Sequence, residues 1–343
     1  MRLPAPKYVA RTRADQESST VQLAPNLVQL FHNAVEKRGD RPYLWRRSKD
    51  GYHAMSWNEA AERVTALAKA LRAKGIQKGD RLVIVAENRP EWLIADMAAL
   101  TLGAVTVPAY TTNTVKDHRY VIEHSGAVAV VYSGATVAKT LLPAIRDVGT
   151  VRVIIAIEPP KDAAGLEIVG WDEALELGRQ ADAAPFEAPD ADDLACIIYT
   201  SGTGGQPKGV MLSHGNIIAN CDGAIDLLEE LGVDDNEVFL SFLPLSHSYE
   251  HTAGQFVPMA IGAQVYYAEG VDTLTQNLGE ARPTILTCVP RLYEVMRQRI
   301  LAGVARTGGT KAWLFHKAVE LGTKKYEKKP LNPIERVIDL ACD

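Results

Sequence analysis

The sequence predicts an α/β protein with a mainly parallel sheet that helices cover on both faces. Short apolar runs alternate with segments of helical periodicity from about residue 24 onward, the pattern of a sheet built from strand–helix units. These runs are apolar throughout, as expected of strands that are buried on both faces. Glycines and prolines lie between these segments and predict where the helices and strands begin and end.

The first two predicted helices have clear start and stop signals. A capping box of Ser56 and Glu59 predicts the start of one helix, and Gly75 predicts its end. Apolar residues recur on one face of this helix, at Ala60, Val64, Leu67, Ala68 and Leu71. Pro90 suits the first turn of the next helix, which Gly103 ends.

Apolar runs separated by turns and helices predict the strands. They cover residues 81–86, 104–107, 127–132, 151–157, 194–199, 210–212, 238–242, 263–267 and 284–288. An acidic, proline-rich stretch at 182–193 predicts a surface connection that delivers the chain into the strand at 194–199.

Three further helices are predicted in the second half of the chain. One covers 217–231 and ends at Gly232, and another covers 291–304 after Pro290. The last, 333–342, is a helix without a stop signal before the sequence ends.

Composition narrows the class of protein. With 343 residues the chain can form a large core and more than one subdomain. Its net charge of −5 gives no indication of a nucleic-acid partner. Its four cysteines have a spacing that indicates neither a metal site nor a disulfide framework. They are Cys196, Cys221, Cys288 and Cys342. We expect a cytoplasmic protein, with peripheral membrane contact left open, because we find neither a secretory signal nor a membrane-spanning run.

The most informative segment is a loop of glycines and small hydroxyl residues between two apolar runs. It reads Ile197-Ile198-Tyr199-Thr200-Ser201-Gly202-Thr203-Gly204-Gly205-Gln206-Pro207-Lys208-Gly209. Glycines let backbone N–H groups turn toward an anion, hydroxyls donate further hydrogen bonds, and the lysine adds a positive charge. We therefore predict a phosphate-binding loop at 199–209. A flexible linker is the simpler alternative, but linkers rarely lie between apolar runs or end in Pro-Lys-Gly.

Two common phosphate-binding patterns do not fit this loop. The Walker A pattern requires a glycine where Pro207 stands and a hydroxyl residue where Gly209 stands. A dinucleotide-binding fingerprint that starts at Gly202 also requires a glycine at Pro207, followed directly by a helix. Because residues 210–212 read as a strand, the loop is predicted to join two strands, which argues against a P-loop kinase or a dehydrogenase.

The loop closely resembles the phosphate-binding signature of the adenylate-forming (AMP-binding) superfamily, Tyr-Thr-Ser-Gly-Thr-Thr-Gly-x-Pro-Lys-Gly. The resemblance continues through residues 210–216, and Val-Pro-Arg-Leu-Tyr-Glu at 289–294 is also similar to family members. One position differs from the family signature: Gly204 stands where the family usually has threonine or another hydroxyl or larger residue. This change removes one possible phosphate donor, so we expect weaker ATP binding than in a typical member.

A second segment, Phe242-Leu243-Pro244-Leu245-Ser246-His247, resembles the family's second landmark, a histidine near the bound carboxylate and adenylate. His247 matches that histidine, and an imidazole beside a reacting carboxylate can hydrogen-bond it or respond to its charge. The simpler alternative is a buried histidine whose hydrogen bonds are satisfied by the backbone. Because the predicted phosphate loop lies upstream in the same chain, we favour a role for His247 at the bound carboxylate.

The same region contains a competing motif. His247-Ser248-Tyr249-Glu250-His251 spells H-x-x-E-H, the signature of an inverted zincin metalloprotease. On a helix, the two histidines at i and i+4 would share a face and could bind zinc. We disfavour this alternative because Pro244 and the preceding apolar run predict that His247 leaves a strand or turn. The motif is therefore expected to lie outside a helix and to bind no zinc.

The resemblance implies a fold and a domain layout. The fold is the large N-terminal domain of an adenylate-forming enzyme, with stacked β-sheets flanked by helices. We expect a tail at 1–20 and a partial AMP-binding domain at 21–343. Family members continue with a Tyr-Gly-x-Thr-Glu motif, a ribose-binding aspartate and a C-terminal domain that bears a catalytic lysine. We find none of these in the sequence, so the chain is expected to be a truncated portion of such an enzyme.

The resemblance also implies an activity, most like that of bacterial long-chain fatty-acid–CoA ligases. These enzymes activate a carboxylic acid with ATP and Mg²⁺ and transfer the acyl group to coenzyme A. The resemblance assigns triphosphate contacts to Thr200, Ser201, Gly202, Thr203, Gly204, Gly205, Gln206, Pro207 and Lys208. Thr200 is also the expected Mg²⁺ contact, and His247 is the catalytic candidate at the carboxylate. An acyl-AMP ligase that does not use CoA stays open, as does an inactive fragment that binds nucleotide.

Overall fold

The computed structural model of the chain describes residues 23–181, 184–201 and 205–342. The predicted N-terminal tail at 1–20 lies outside the described residues. The chain forms two compact units, with the boundary between Thr287 and Cys288.

The first unit contains two β-sheets. Its strands are β1 Pro42–Ser48, β2 Gly51–Ser56, β3 Arg81–Val85, β4 Val105–Pro108, β5 Ala129–Tyr132, β6 Val153–Ala156, β7 Val169–Gly170, β8 Leu194–Thr200, β9 Lys208–Ser213, β10 Val238–Ser241, β11 Gln264–Tyr267 and β12 Ile285–Leu286. A seven-stranded sheet has the order β7-β6-β5-β3-β4-β8-β9, and a five-stranded sheet has the order β12-β10-β11-β1-β2. Antiparallel pairing occurs between β8 and β9 and between β1 and β2, whereas the other paired strands are parallel. The predicted α/β class and its mainly parallel sheet are confirmed.

Helices cover the seven-stranded sheet on both faces. Those of the first unit are α1 Leu27–Arg38, α2 Trp57–Ala73, α3 Pro90–Leu102, α4 Val115–Ser125, α5 Ala135–Val148, α6 Trp171–Gln180, α7 His214–Glu230, α8 Ser248–His251, the π-helix Thr252–Phe256, α9 Val257–Ile261 and α10 Leu274–Ala281. Side chains of β3 alternate between two buried clusters: Leu82 and Ile84 belong to the main core, and Val83 and Val85 to a cluster on the opposite face. This two-sided burial is the reason that the strand is apolar throughout.

Helix α3 is buried along its whole length. All residues of Pro90–Leu102 are buried, and the helix contacts β3 and β4 of the larger sheet as well as β1 of the smaller one. A helix that is apolar all round is expected in such a position. Asp96 in its centre is fully buried and therefore requires a partner.

The predicted start and stop signals are found where they were expected. The Ser56 hydroxyl accepts a hydrogen bond from the Glu59 N–H at 3.1 Å, and the Glu59 carboxylate accepts one from the Ser56 N–H at 2.7 Å. Pro90 occupies the first turn of α3, and Gly103 ends that helix in a left-handed conformation with φ of 76°.

Strands β1 and β2 were not predicted, and the predicted strand at 284–288 is reduced to Ile285–Leu286. Charged side chains in β1 interrupt the apolar pattern by which a strand is predicted. Arg47, for example, binds Glu280 at 2.8 Å and Glu269 at 3.2 Å, both far along the chain. Strand β2 is the last strand of its sheet and is largely accessible. The formation of β1 and β2 depends on tertiary contacts that cannot be predicted from the local pattern of hydrophobic residues.

The predicted connection at 182–193 has no regular secondary structure over its described part, 184–193. It is held to the first unit at Pro189, whose carbonyl accepts a hydrogen bond from Asn26 Nδ2 at 2.8 Å. It then leads directly into β8, as the sequence predicted.

The second unit consists of helices α11 Pro290–Thr307, α12 Gly309–Tyr326 and α13 Pro333–Cys342. The predicted helices at 291–304 and 333–342 are confirmed, while α12 was not predicted. Ion pairs of Lys324 with Glu335 and of Lys325 with Asp339 join α12 to α13. In the part of the chain that the structure describes, every helix is too short or too polar to cross a lipid bilayer.

Helices α2 and α6 approach so closely that Gly178 cannot carry a side chain. A Cβ atom at this position would lie 1.7 Å from the carbonyl oxygen of Ala66. We expect Gly178→Ala to lower the free energy of unfolding by about 3 kcal/mol or more, because the backbones must move apart. Urea-induced unfolding followed by circular dichroism measures the change.

Gly223 provides the matched control. It also lies inside a helix, α7, but no atom lies within 4 Å of the position that its Cβ would take. Gly223→Ala is therefore expected to raise the free energy of unfolding by about 0.4–1 kcal/mol. Equal effects of the two substitutions would show that the α2–α6 contact is not as tight as described.

Candidate nucleotide and acid-binding site

The predicted phosphate loop connects two antiparallel strands at one end of the larger sheet. Thr200 at the end of β8 pairs with Lys208 at the start of β9, so the intervening residues close a hairpin. This confirms the predicted strand–loop–strand arrangement. The side chains of Thr200, Ser201 and Lys208 are exposed. The predicted contacts at 202–204, namely Gly202, Thr203 and Gly204, lie outside the described residues.

Two glycines of this hairpin are required for different reasons. Gly205 has a φ of +89°, a conformation that residues with a side chain rarely adopt. Gly209 faces the neighbouring strand, and a Cβ there would lie 2.8 Å from Cγ2 of Ile197. The first glycine permits the turn of the loop, and the second permits close approach of its two arms.

Helix α4 contacts both arms of the hairpin. The Tyr120 hydroxyl donates a hydrogen bond to the Pro207 carbonyl at 2.8 Å. Nδ1 of His124 lies 2.8 Å from the Tyr199 hydroxyl, with donor and acceptor set by the histidine tautomer. Burial raises the pKa of Tyr199 to about 12. Sequence reasoning missed Tyr120 and His124, whose only signal is their spacing of four residues on a helix.

Two cavities meet at Thr200. One, of about 310 Å³, lies between α4 and the loop and is lined by residues that include Tyr110, Lys116 and Gln206. The other, of about 550 Å³, is bordered by β8, β9, α7 and the segment from α8 to α9. Its apolar lining is formed by Ile198, Val210, Leu212, Ala224, Ala253 and Val257. The apolar part of this cavity therefore lies directly beside the loop.

His247 lies next to this second cavity, which we call the apolar cavity. It is the N-cap residue of α8, and its Nδ1 accepts a hydrogen bond from the Tyr249 N–H at 3.2 Å. The imidazole is exposed. Ser248 and Tyr249, which follow it directly, line the cavity. The histidine was predicted to be near the acid, and its position at the edge of the apolar cavity is compatible with that role.

The prediction that H-x-x-E-H lies outside a helix is wrong. Residues 248–251 form α8 and His247 caps it, because the chain turns after Pro244 and starts a helix at once. The three side chains nevertheless have different partners: His247 caps the helix, Glu250 binds Ser241, and His251 binds Asp96. Within the described ranges, no group of three or more His, Cys, Asp or Glu residues is arranged to bind a metal ion.

His251 forms a buried ion pair with Asp96 of α3. Its Nε2 lies 2.9 Å from an Asp96 carboxylate oxygen, which also accepts a hydrogen bond from Gln255 Nε2 at 2.9 Å. Burial alone would lower the pKa of His251, but the Asp96 charge outweighs it and raises the pKa above its usual range. This pair joins α3 to the segment that carries His247.

Glu250 anchors the same segment to the ends of two strands of the smaller sheet. Its carboxylate accepts hydrogen bonds from the hydroxyls of Ser241, at 2.7 Å, and Thr287. Burial raises the pKa of Glu250 to about 7, although both hydrogen bonds lower it. Asn88 donates a hydrogen bond to the Ser241 hydroxyl at 3.0 Å and so extends the network to the loop before α3.

The elevated pKa of Glu250 predicts a pH dependence of stability. Between its unfolded value of 4.5 and its folded value of about 7, the folded protein retains a proton that the unfolded chain has lost. The contribution of Glu250 to stability is therefore fully present below pH 4.5 and is lost as the pH rises through 7, by about 3 kcal/mol at most.

Urea titrations between pH 4.5 and 7.5 test this dependence. The free energy of unfolding of Glu250→Gln should gain relative to that of the wild type as the pH rises through this range, because the substituted side chain does not titrate. Glu36→Gln, at an exposed position of α1, should keep the wild-type slope. A wild-type slope in Glu250→Gln would contradict the contribution assigned to Glu250.

Comparisons with known proteins agree with this architecture. The AMP-binding enzyme family matches residues 31–334. The peroxisomal long chain acyl-CoA synthetase 6 of Arabidopsis thaliana is 34% identical over 301 residues, which are 84% of this chain and 42% of the relative. Long-chain-fatty-acid–CoA ligase 6 of Mus musculus is 31% identical over 81% of this chain and 42% of its own length. The chain thus spans about two fifths of the length of these relatives.

Solved structures show the same fold. The adenylation domain of a carboxylate reductase from Mycobacterium chelonae superposes with a TM-score of 0.70 at 25% identity, over 84% of this chain and 50% of that one. The N-terminal domain of FACL13 from Mycobacterium tuberculosis gives a TM-score of 0.67 at 24% identity, over 80% of this chain and 65% of that one. With a family match over nearly the whole length, this chain belongs to the AMP-binding enzyme family.

Proposed function

We propose that this chain forms the ATP- and acid-binding part of an enzyme that activates a long-chain fatty acid and transfers it to coenzyme A. One observation carries the proposal: the β8–β9 loop, with exposed hydroxyls and Lys208, borders an apolar cavity at Thr200. A phosphate-binding element is thereby adjacent to a space suited to an acyl chain. The long-chain acyl-CoA synthetases among the relatives support the same substrate class.

The proposed reaction has two steps. A carboxylate oxygen attacks the α-phosphorus of ATP, forming an acyl-adenylate as the bond to pyrophosphate breaks. The thiol of coenzyme A then loses its proton and attacks the acyl carbonyl, which releases AMP and leaves a thioester. Negative charge develops on phosphate oxygens in the first step, so donors fixed around the loop can lower its barrier.

Each part of the loop has a proposed role in that first step. Backbone N–H groups at Gly205 and Gln206, together with the hydroxyls of Thr200 and Ser201, can donate hydrogen bonds to phosphate oxygens. The Lys208 ammonium adds a positive charge at the base of the same loop. Because Thr200 and Lys208 are paired across the hairpin, they are positioned together at the strand ends.

Thr200 also fits a Mg²⁺ ion that would arrive with ATP. Its exposed hydroxyl is a hard oxygen donor, and Mg²⁺ typically keeps several waters and binds substrate phosphates in addition to few protein oxygens. When bound, the ion would neutralise phosphate charge. His247 is proposed to contact the carboxylate at the edge of the apolar cavity.

The proposed location is the cytoplasm, with fatty acid taken up from solution or from a membrane surface. Cys196 and Cys221 are buried free thiols, and Cys288 is also free, which suits a reducing compartment.

Lys208→Ala should weaken MgATP binding at least about tenfold, because a hydrogen bond to a charged group is lost. The side chain is exposed, so the free energy of unfolding should stay unchanged. Isothermal titration calorimetry with MgATP measures the affinity, and Lys49→Ala, an exposed lysine between β1 and β2, serves as the control. Wild-type affinity in Lys208→Ala would contradict the phosphate role of the loop.

Acyl length should decide the affinity of non-reactive acyl-adenylate analogues. We expect acyl-sulfamoyl adenosines to bind about fourfold more tightly for each methylene that the apolar cavity buries. Ala224→Phe, which narrows that cavity, should weaken binding of a hexadecanoyl analogue and spare an acetyl analogue. Equal affinity for all chain lengths would argue against a long-chain acid.

A further inference from the structure

Helix α4 is a rigid element placed beside the nucleotide loop. The Thr114 hydroxyl and the Asp117 carboxylate form a capping box at its start, and Gly126 ends it in a left-handed conformation. Arg81 of β3 donates hydrogen bonds to the carbonyls of Ser125 and Gly126 at 2.8 and 2.7 Å. Both ends of the helix are therefore fixed, and its C-terminal end is tied to the larger sheet.

Tyr120 and His124 lie one turn apart on α4 and face the hairpin together. Their rings stack, with centroids 5.1 Å apart and planes inclined by 26°. Both are edge-on to Tyr199, at centroid distances of 6.0 and 5.7 Å. The three rings form one aromatic group, which we call the α4 clamp, and such pairs stabilise beyond the apolar area that they bury.

Tyr120 and His124 of the α4 clamp contact the two arms of the hairpin by separate hydrogen bonds. His124 contacts the hydroxyl of Tyr199, one residue before Thr200, and Tyr120 donates to the carbonyl of Pro207, one residue before Lys208. We propose that Tyr120 and His124 are positioning residues that hold Thr200 and Lys208 in the geometry required for nucleotide binding. This inference rests on the proposed function of the loop.

Positioning is needed because a glycine-rich loop loses much conformational freedom when it binds a phosphate. A loop that is already held near its bound geometry loses less, so it binds more tightly. His124 is exposed and Tyr120 half-buried, so neither side chain is required to fill the core. Their contacts are instead concentrated on the strand ends that flank the loop.

The test compares Tyr120→Phe with Tyr52→Phe. Tyr52 also donates a hydroxyl hydrogen bond to a backbone carbonyl, that of Tyr267 at 3.0 Å, but it lies in the smaller sheet. Each variant therefore loses the same kind of hydrogen bond and keeps its aromatic ring. Three quantities are measured on the whole chain: amide hydrogen exchange of peptides that cover 200–208, the dissociation constant for MgATP, and the midpoint of urea unfolding.

For Tyr120→Phe we expect loop exchange about fivefold faster and MgATP binding about fivefold weaker, the factor for loss of one ordinary hydrogen bond. Tyr52→Phe should shift the unfolding midpoint to a similar degree and leave the other two quantities unchanged. Adding His124→Ala to Tyr120→Phe should increase both loop effects, because the second arm is then released.

Wild-type loop exchange in Tyr120→Phe would overturn the positioning role, whatever the nucleotide result. If loop exchange responds but wild-type protein binds no MgATP, the proposed function fails, and α4 positions a loop with a different ligand. The two failures are therefore distinguishable. A purely structural role would shift the unfolding midpoint and leave the MgATP dissociation constant unchanged.

Discussion

The buried ion pair between Asp96 and His251 is the interaction on which the candidate site depends. Asp96 belongs to α3, which contacts both sheets and is buried along its whole length. A charge in that position is tolerated only with a partner, and removal of one member of such a pair typically costs about 3–5 kcal/mol. His251 supplies the partner and is the last residue of α8, which His247 caps and which continues directly into the π-helix Thr252–Phe256. A fully buried helix that contacts both sheets is therefore joined directly to the segment that carries the histidine and one wall of the apolar cavity.

Glu250 adds a second constraint to the same helix. Its hydrogen bonds to Ser241 and Thr287 join the helix to strand ends of the smaller sheet, whereas the neighbouring His251 is joined to α3. Gly254 permits this close packing, since a Cβ there would lie 2.2 Å from a Glu250 carboxylate oxygen. The segment after β10 is thus held from two directions by consecutive residues. The start of the helical segment 248–261 is thereby fixed as one wall of the cavity.

Local sequence patterns predicted the larger sheet and the β8–β9 hairpin but not the network that supports them. The strands at 81–86 and 127–132 are recognisable because burial on both faces requires continuous apolar residues. Strand β1 was not predicted because the charged residues Arg46 and Arg47 interrupt its apolar pattern. Their partners Glu91 and Glu280 are remote in sequence. The helical state of 248–251 was missed for a similar reason, because Asp96 and Ser241 stabilise it from other elements. Residues that act through distant partners, such as Tyr120, show no local pattern beyond their spacing on a helix.

The pairing of the two hairpin arms explains why support from α4 is needed mainly on one side. Strand β8 lies between β4 and β9, so the arm that ends at Thr200 belongs to a strand with a neighbour on each side. Strand β9 is the last strand of the seven-stranded sheet and is paired with β8 alone in that order. Lys208 at its start is therefore supported by strand pairing on one side only. The hydrogen bond from Tyr120 to the Pro207 carbonyl acts at that less supported arm, and Pro207 itself restricts the backbone there. A side chain of a fixed helix thus replaces the missing neighbouring strand at the point where the charged group has to be positioned.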